Sequence, residues 1–161
     1  MKTINRFQDQ QGFSLVELLI VVGIIGILAA IAIPNLLASR RAANEASSQA
    51  SLRTIHNCQA TYRATNGYRD YGTLAQLGGQ YLTDSVLASG TKSGYNFVVN
   101  PTLGVEPAQF YVTAVPIVTS GIGLTGTRRF AMTEDGVSRG DSTLTVPANA
   151  IAVQAMPPLG N

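Results

Sequence analysis

The hydropathy pattern changes character twice along the chain. From Phe13 to Ile33 almost every position is apolar, and Glu17 is the only charged residue. The run shows no polar face, so it is not the one-sided stripe of a surface helix. As a helix it would be about 31 Å long, the thickness of a bilayer's hydrocarbon core. Beyond Pro34 the pattern stays helical but becomes amphipathic. Ala43, Ala46 and Ala50, then Leu52, Ile55, Cys58 and Tyr62, recur at spacings near three and four. Arg40, Arg41, Glu45, Arg53 and Arg63 fall elsewhere. Asn66-Gly67 supplies a stop, with Gly67 suited to a left-handed cap. One helix from about Phe13 to about Thr65, near 80 Å in length, is predicted. Its first half has no partner within a single chain, which calls for assembly or a membrane.

The second change comes at Gly94, where the period drops to two. Tyr95, Phe97 and Val99 alternate with Asn96, Val98 and Asn100; Phe110, Val112 and Ala114 alternate with Tyr111, Thr113 and Val115. Phe130 and Met132 follow, and Glu134-Asp135-Gly136 reads as a tight turn into Val137 and Arg139. Pro101, Pro107 and Pro116 mark strand ends, because proline cannot donate to a ladder. The expectation is an α+β chain: a long N-terminal helix whose C-terminal half packs on a four-stranded antiparallel sheet. Residues 68–94 read as loops with short helical turns around Leu74 and Leu77, then a second apolar set at Tyr81, Leu82, Val86 and Leu87. A further strand is expected near Ile151–Val153, and Pro157-Pro158 indicates an extended end.

Glu17 is the informative oddity. An acidic side chain at the centre of a membrane helix costs about 2.5–3.5 kcal/mol, and less towards the interface. No basic residue within the apolar run can partner it. Cleavage between Gly12 and Phe13 would leave Glu17 one helical turn from a new α-amino group, near the positive end of the helix dipole. In a stack of offset helices, Glu17 of one copy could neutralise the amine of the next. Gly23 and Gly26, with Ala29, Ala30 and Ala32, offer small surfaces for close helix approach. Each glycine also weakens the helix by about 1 kcal/mol, and Pro34 adds a kink. Gly23, Gly26 and Pro34 are therefore candidate points of stretching or unwinding in an assembly, alongside the plainer reading of lipid-facing glycines and a simple kink.

The order Gly12, Phe13, Ser14, Leu15, Val16, Glu17, Leu18, Leu19 behind the basic leader MKTINRFQDQQG resembles the class III signal of type IV pilins. Pro34 falls where that family places a helix-breaking proline. The resemblance is strong over residues 1–40 and weaker at the junction Tyr62-Arg63-Ala64-Thr65-Asn66-Gly67-Tyr68. It implies the type IV pilin fold, removal of residues 1–12 by a prepilin peptidase, and N-methylation of Phe13. Residues 13–34 become the hydrophobic transmembrane and assembly helix, 35–66 its amphipathic half, and 67–161 the αβ-loop, sheet and tail. The implied partners are copies of the chain in a helical filament, the prepilin peptidase, an assembly platform in the inner membrane, and the bilayer before assembly. The implied task is that of a surface-filament subunit serving adhesion, twitching motility or DNA uptake. A pseudopilin of a type II secretion system and a minor pilin are the alternatives within the family.

Other classes compete. Ala30-Ile31-Ala32 satisfies a small-x-small cleavage pattern, but the apolar run exceeds the usual signal core of 7–15 residues and carries a glutamate. A single-span anchor leaves Glu17 unexplained, a buried core helix is too apolar for a 161-residue chain to cover on every side, and a monomeric binding domain predicts a single population in detergent and no fibres. Lys2 and Arg6 are matched by Arg40 and Arg41, so charge does not set orientation.

Composition narrows the picture further. Charged residues make up 12% of the 161-residue chain, against about 25% in soluble domains, and the net charge is +2. A weakly charged polar surface suits copies packed together and supplies no clustered basic field for nucleic acid. Cys58 is the only cysteine, so no intrachain disulfide closes the C-terminal loop as in many type IV pilins. His56, the only histidine, lies two residues from Cys58 and points to a different helix face. No catalytic constellation, metal site or cofactor motif is recognised, so no enzyme is expected. Glu134, Asp135 and Asp141 could bind calcium at a β-turn, but their spacing favours a plain turn. The six tyrosines read as core and loop anchors with wetted hydroxyls.

Overall fold

The computed structural model describes residues 12–66, 70–104 and 106–160. The predicted cap at Gly67, and with it Tyr68, lies outside the described residues. Two compact units are present, Met1–Leu36 and Leu37–Asn161, and their boundary falls within the first helix. That helix, α1, runs Leu15–Thr65, two residues inside its expected start. In the first unit, its large apolar side chains from Leu15 to Leu36 are between 48% and 77% exposed.

The second unit follows the expected α+β order, with two additions. Two four-residue helices, α2 (Leu74–Leu77) and α3 (Ser85–Ala88), come first. Thr73 and Gln76 close a reciprocal capping box on α2, and Asp84 caps α3 through the N–H groups of Val86 and Leu87. Strands β1 (Thr91–Lys92), β2 (Tyr95–Thr102), β3 (Gln109–Pro116), β4 (Arg129–Thr133) and β5 (Arg139–Asp141) form an antiparallel meander in chain order. Five strands thus replace the four expected. The additional pairings are too short to carry an alternation of their own. Pro101 lies inside β2, opposite Phe110, and not at its end. It is tolerated because β1 pairs only with Tyr95 and Asn96, leaving the rest of that strand edge free.

One sheet face buries Tyr95, Phe97 and Val99 of β2, Phe110, Val112 and Ala114 of β3, and Phe130 and Met132 of β4. Leu52 and Ile55 of α1 pack against it, and Leu77, Leu82 and Leu87 from the intervening loops complete the core. The alanine stripe does not join them: Ala43, Ala46 and Ala50 are exposed. The buried face of α1 instead carries Glu45, Ser48, Ser51, Leu52, Ile55 and Gln59. Alanine gains little from burial, whereas these polar groups are held by named partners. Gln59 is clamped to Gly72, donating from Nε2 to its carbonyl (2.5 Å) and accepting from its N–H (2.9 Å). Glu45 accepts from the Thr127 N–H (2.8 Å) and hydroxyl (2.7 Å), and from Arg128 Nε (3.0 Å) and Nη2 (2.9 Å).

The tail departs from expectation. Residues Ala150–Gln154 form a helix, α4, capped by the Asn149 side chain on the Ala152 N–H; they are not a strand. Val153 and Met156 pack with Ala131 and Tyr111 on the second sheet face. An asparagine ahead of a short apolar set was a helix-start signal. Arg139 forms an isolated bridge with Pro158, which ties the extended end to β5.

Glu45 makes this unit sensitive to acid. Burial alone would raise its carboxyl, but the Thr127 and Arg128 hydrogen bonds outweigh that and hold it below its ordinary value of 4.5. Asp135 behaves alike: burial pushes it up, and Arg139, Val137 and Thr133 bring it down to about 2. Both are lowered in the fold, so their stabilisation is complete above the unfolded values and is lost as pH falls through the folded ones. Thermal melts of the full chain in detergent should show stability declining from about pH 4.5 towards pH 2. Glu45→Ala should cost about 2–3 kcal/mol near neutrality and flatten that decline.

Candidate assembly site

The candidate site is the N-terminal segment of the first unit. Gly12 and Phe13 precede α1 and are exposed, Phe13 to 87%. Ser14 stands immediately before the helix, where its carbonyl accepts from the Leu18 N–H (3.2 Å). Its own N–H donates to Glu17 Oε2 (3.3 Å). This is the carboxylate half of a capping box, in which a glutamate at the third helical position reaches back to the cap. The motif Ser14-x-x-Glu17 is itself a sequence signature of a helix start, distinct from the amine and dipole partners expected for Glu17. The carboxylate thus has a partner within its own chain, and a favourable one near the positive end of the helix dipole.

Further along, Gly23 and Gly26 meet nothing within 4 Å of an added Cβ. Among the described residues, then, no close contact requires glycine at either position. Pro34 lies inside α1, which stays helical on both sides. Its ring nitrogen offers no hydrogen to the Ala30 carbonyl four residues back. One residue on, Asn35 Nδ2 donates to the Ile31 carbonyl (3.2 Å). This adds a side-chain bond beside the interruption. The segment is long and apolar enough to cross a membrane.

The second unit accounts for the remaining candidates. His56 Nε2 lies 3.3 Å from the Glu134 carbonyl, and its ring packs 5.9 Å from Phe110. Cys58 Sγ donates to the Tyr81 carbonyl (3.1 Å), and burial pushes its thiol pKa up. The two residues therefore serve different neighbours. In the expected turn, Gly136 N–H donates to the Thr133 carbonyl, and Asp135 binds Thr133, Val137 and Arg139. Asp141 is taken by Arg129, at 2.8 Å. Among the described residues, no group of three potential ligands is gathered for a metal. Tyr95 is fully buried, with its hydroxyl donating to the Arg128 carbonyl (2.8 Å). Tyr62, Tyr71 and Tyr81 pack at the core's edge.

Comparison with known proteins gives matches to part of the chain. Residues 8–33 match the family described as the prokaryotic N-terminal methylation motif. Over 59 residues the chain is 48% identical to the type IV wide pilus major component PilA4 of Thermus thermophilus, covering 37% of this chain and 45% of that protein. Over 84 residues it is 33% identical to the type IV major pilin protein PilA of Myxococcus xanthus, covering 48% and 38% respectively. The matches span less than half the length of these curated relatives. No solved structure matches the chain significantly. The long N-terminal helix followed by an antiparallel sheet is a type IV pilin-like arrangement, and the partial sequence similarity is to type IV major pilins.

The interruption at Pro34 has a measurable consequence. In detergent, Pro34→Ala should restore the bond to Ala30 and slow amide exchange over residues 30–38 by tenfold or more. Unchanged exchange there would mean that the proline does not weaken the helix.

Proposed function

We propose that the chain is the structural subunit of a type IV pilus and polymerises through residues 13–34. The observation that carries this is the apolar helix that its own chain leaves exposed, with a single carboxylate in its first turn. Such a helix must be covered by lipid or by copies of itself. Before assembly it spans the inner membrane; afterwards it lies among its neighbours, in an extracellular filament. A prepilin peptidase cuts after Gly12 and methylates Phe13. Glu17 then exchanges the Ser14 N–H for the amine of a neighbouring Phe13, offsetting a charge that would otherwise be costly in an apolar interior. Gly23, Gly26 and Pro34 give the helix local give as neighbours close in. The second unit supplies whatever adhesion, motility or DNA-uptake role the filament has. The relatives' names favour a pilus over the pseudopilin alternative, since both are named as major pilus components.

Filaments sheared from cells should contain a chain beginning at N-methylated Phe13. An N-terminus at Ile33 in the soluble fraction would make this a secreted domain instead. Glu17→Ala should leave membrane insertion and cleavage intact while lowering filament yield at least tenfold. Normal yield from that variant would show that the carboxylate is not an assembly residue.

A further inference from the structure

The unit Leu37–Asn161 has two exposed ends of opposite character. The antiparallel register separates them by the length of β3, about 27 Å. The β1–β2 turn and the β3–β4 loop lie at one end; the β2–β3 and β4–β5 connections lie at the other.

At the first end, Ile122 is 83% exposed and Ile117 54%. Their loop is firmly held: Asn44 Nδ2 donates to the Thr125 carbonyl (2.9 Å), and the Thr125 N–H donates to the Val118 carbonyl (3.1 Å). The cations nearby divide into two groups. Lys92, Arg128 and Arg129 are paired with Asp84, Glu45 and Asp141. Arg40 and Arg41, one turn ahead of Asn44, have no carboxylate partner among the described residues, and Arg41 only donates back to the Leu37 carbonyl. This end therefore presents apolar side chains beside a positive surplus.

At the other end, Leu103 is 70% exposed on the β2–β3 connection. Asp70 accepts from the Gly104 N–H at the long distance of 3.5 Å, and Glu106 is exposed without an ion-pair partner among the described residues. In the adjoining turn Asp135 is taken by Arg139 and Glu134 Oε2 is buried, while Arg63 donates to the Tyr71 hydroxyl (3.3 Å). An exposed leucine here sits beside the carboxylates of Asp70 and Glu106.

We propose that these ends dock head to tail on successive copies of this chain. The Ile117 and Ile122 loop of one copy meets Leu103 of the next, with Arg40 and Arg41 facing Asp70 and Glu106. An apolar centre with a charged rim is the usual anatomy of a specific interface. Different patches on the same molecule make a heterologous contact, which propagates without closing when the rotation does not return on itself. The inference rests on the filament reading and adds to it a contact between the sheet units, separate from the apolar helix.

The test uses the full chain in cells that assemble it, in a Cys58→Ser background. Leu103→Cys and Ile122→Cys are expressed singly, together as separate chains, and in one chain, and sheared filaments are oxidised. Co-expressed single variants should give a crosslinked dimer that neither gives alone, and the double variant should give a ladder. Filaments of the double variant that stay monomeric would overturn the proposal, as would self-crosslinking of either single variant. Independently, Arg40→Glu with Arg41→Glu should lower filament yield about tenfold, and Asp70→Lys with Glu106→Lys should restore it. Unchanged yield after the first pair would overturn the charge assignment. Failure of the unaltered chain to form filaments would defeat the filament reading itself, a distinguishable result.

Discussion

Everything in this chain follows from a helix that cannot satisfy its own surface. Apart from Glu17 and Asn35, residues 15–36 are apolar on all sides, and the first unit offers them no cover. Apart from the Ala30 carbonyl opposite Pro34, backbone groups in the helix interior bond one another, so the segment can enter lipid with few groups unpaired. It is equally ready to pack against identical helices. What it cannot do at acceptable cost is remain in water. At about 25 cal/mol per Å² of apolar surface, even partial coverage of such a helix outweighs a single ion pair. Burial therefore keeps the helix out of water; in the proposed filament, close packing at small residues favours neighbouring helices over lipid, and Glu17 serves register and charge.

In the second unit α1 has a different task, solved by different residues. Leu52 and Ile55 are its main apolar contribution to the core. Polar staples do the rest: Glu45 holds Thr127 and Arg128, Asn44 holds Thr125, and Gln59 holds Gly72. Such groups stabilise modestly when paired and are expensive when orphaned, so they fix where loops attach more than how strongly they attach. The turn at Gly94 shows the closeness this demands. Its φ of +73° and its approach to Thr125, 2.6 Å from an added Cβ, admit only glycine.

Much of this was legible because long, strongly periodic segments announce themselves. The helix, the alternation of Tyr95-Phe97-Val99 and Phe110-Val112-Ala114, and the turn at Gly136 all follow from period and turn chemistry. The misses have physical causes. Ala43, Ala46 and Ala50 fit the helical stripe, but alanine marks a face only weakly, and the buried face was written largely in polar residues, among them Glu45, whose partners Thr127 and Arg128 lie 82 and 83 positions away. Residues 150–154 are apolar in a short run, where strand and helix are indistinguishable by period alone; only Asn149 broke the tie. Ser14-x-x-Glu17 carries two meanings at once, a local capping box and a partner for an amine on another chain.

That double meaning bears on how assembly could be reversible. In the proposed filament, Glu17 moves from the Ser14 N–H to a neighbour's amine, so the net gain is the difference between two favourable contacts. A capping interaction contributes about 1 kcal/mol where water competes. A carboxylate–ammonium contact contributes far more in an apolar interior, because there the unpaired ions are costly. The exchange therefore favours assembly only after neighbouring helices have excluded water and lipid from around the pair. Until then the precursor's own cap keeps Glu17 satisfied. A subunit could wait in the membrane without an orphaned charge and commit once its neighbours are in place.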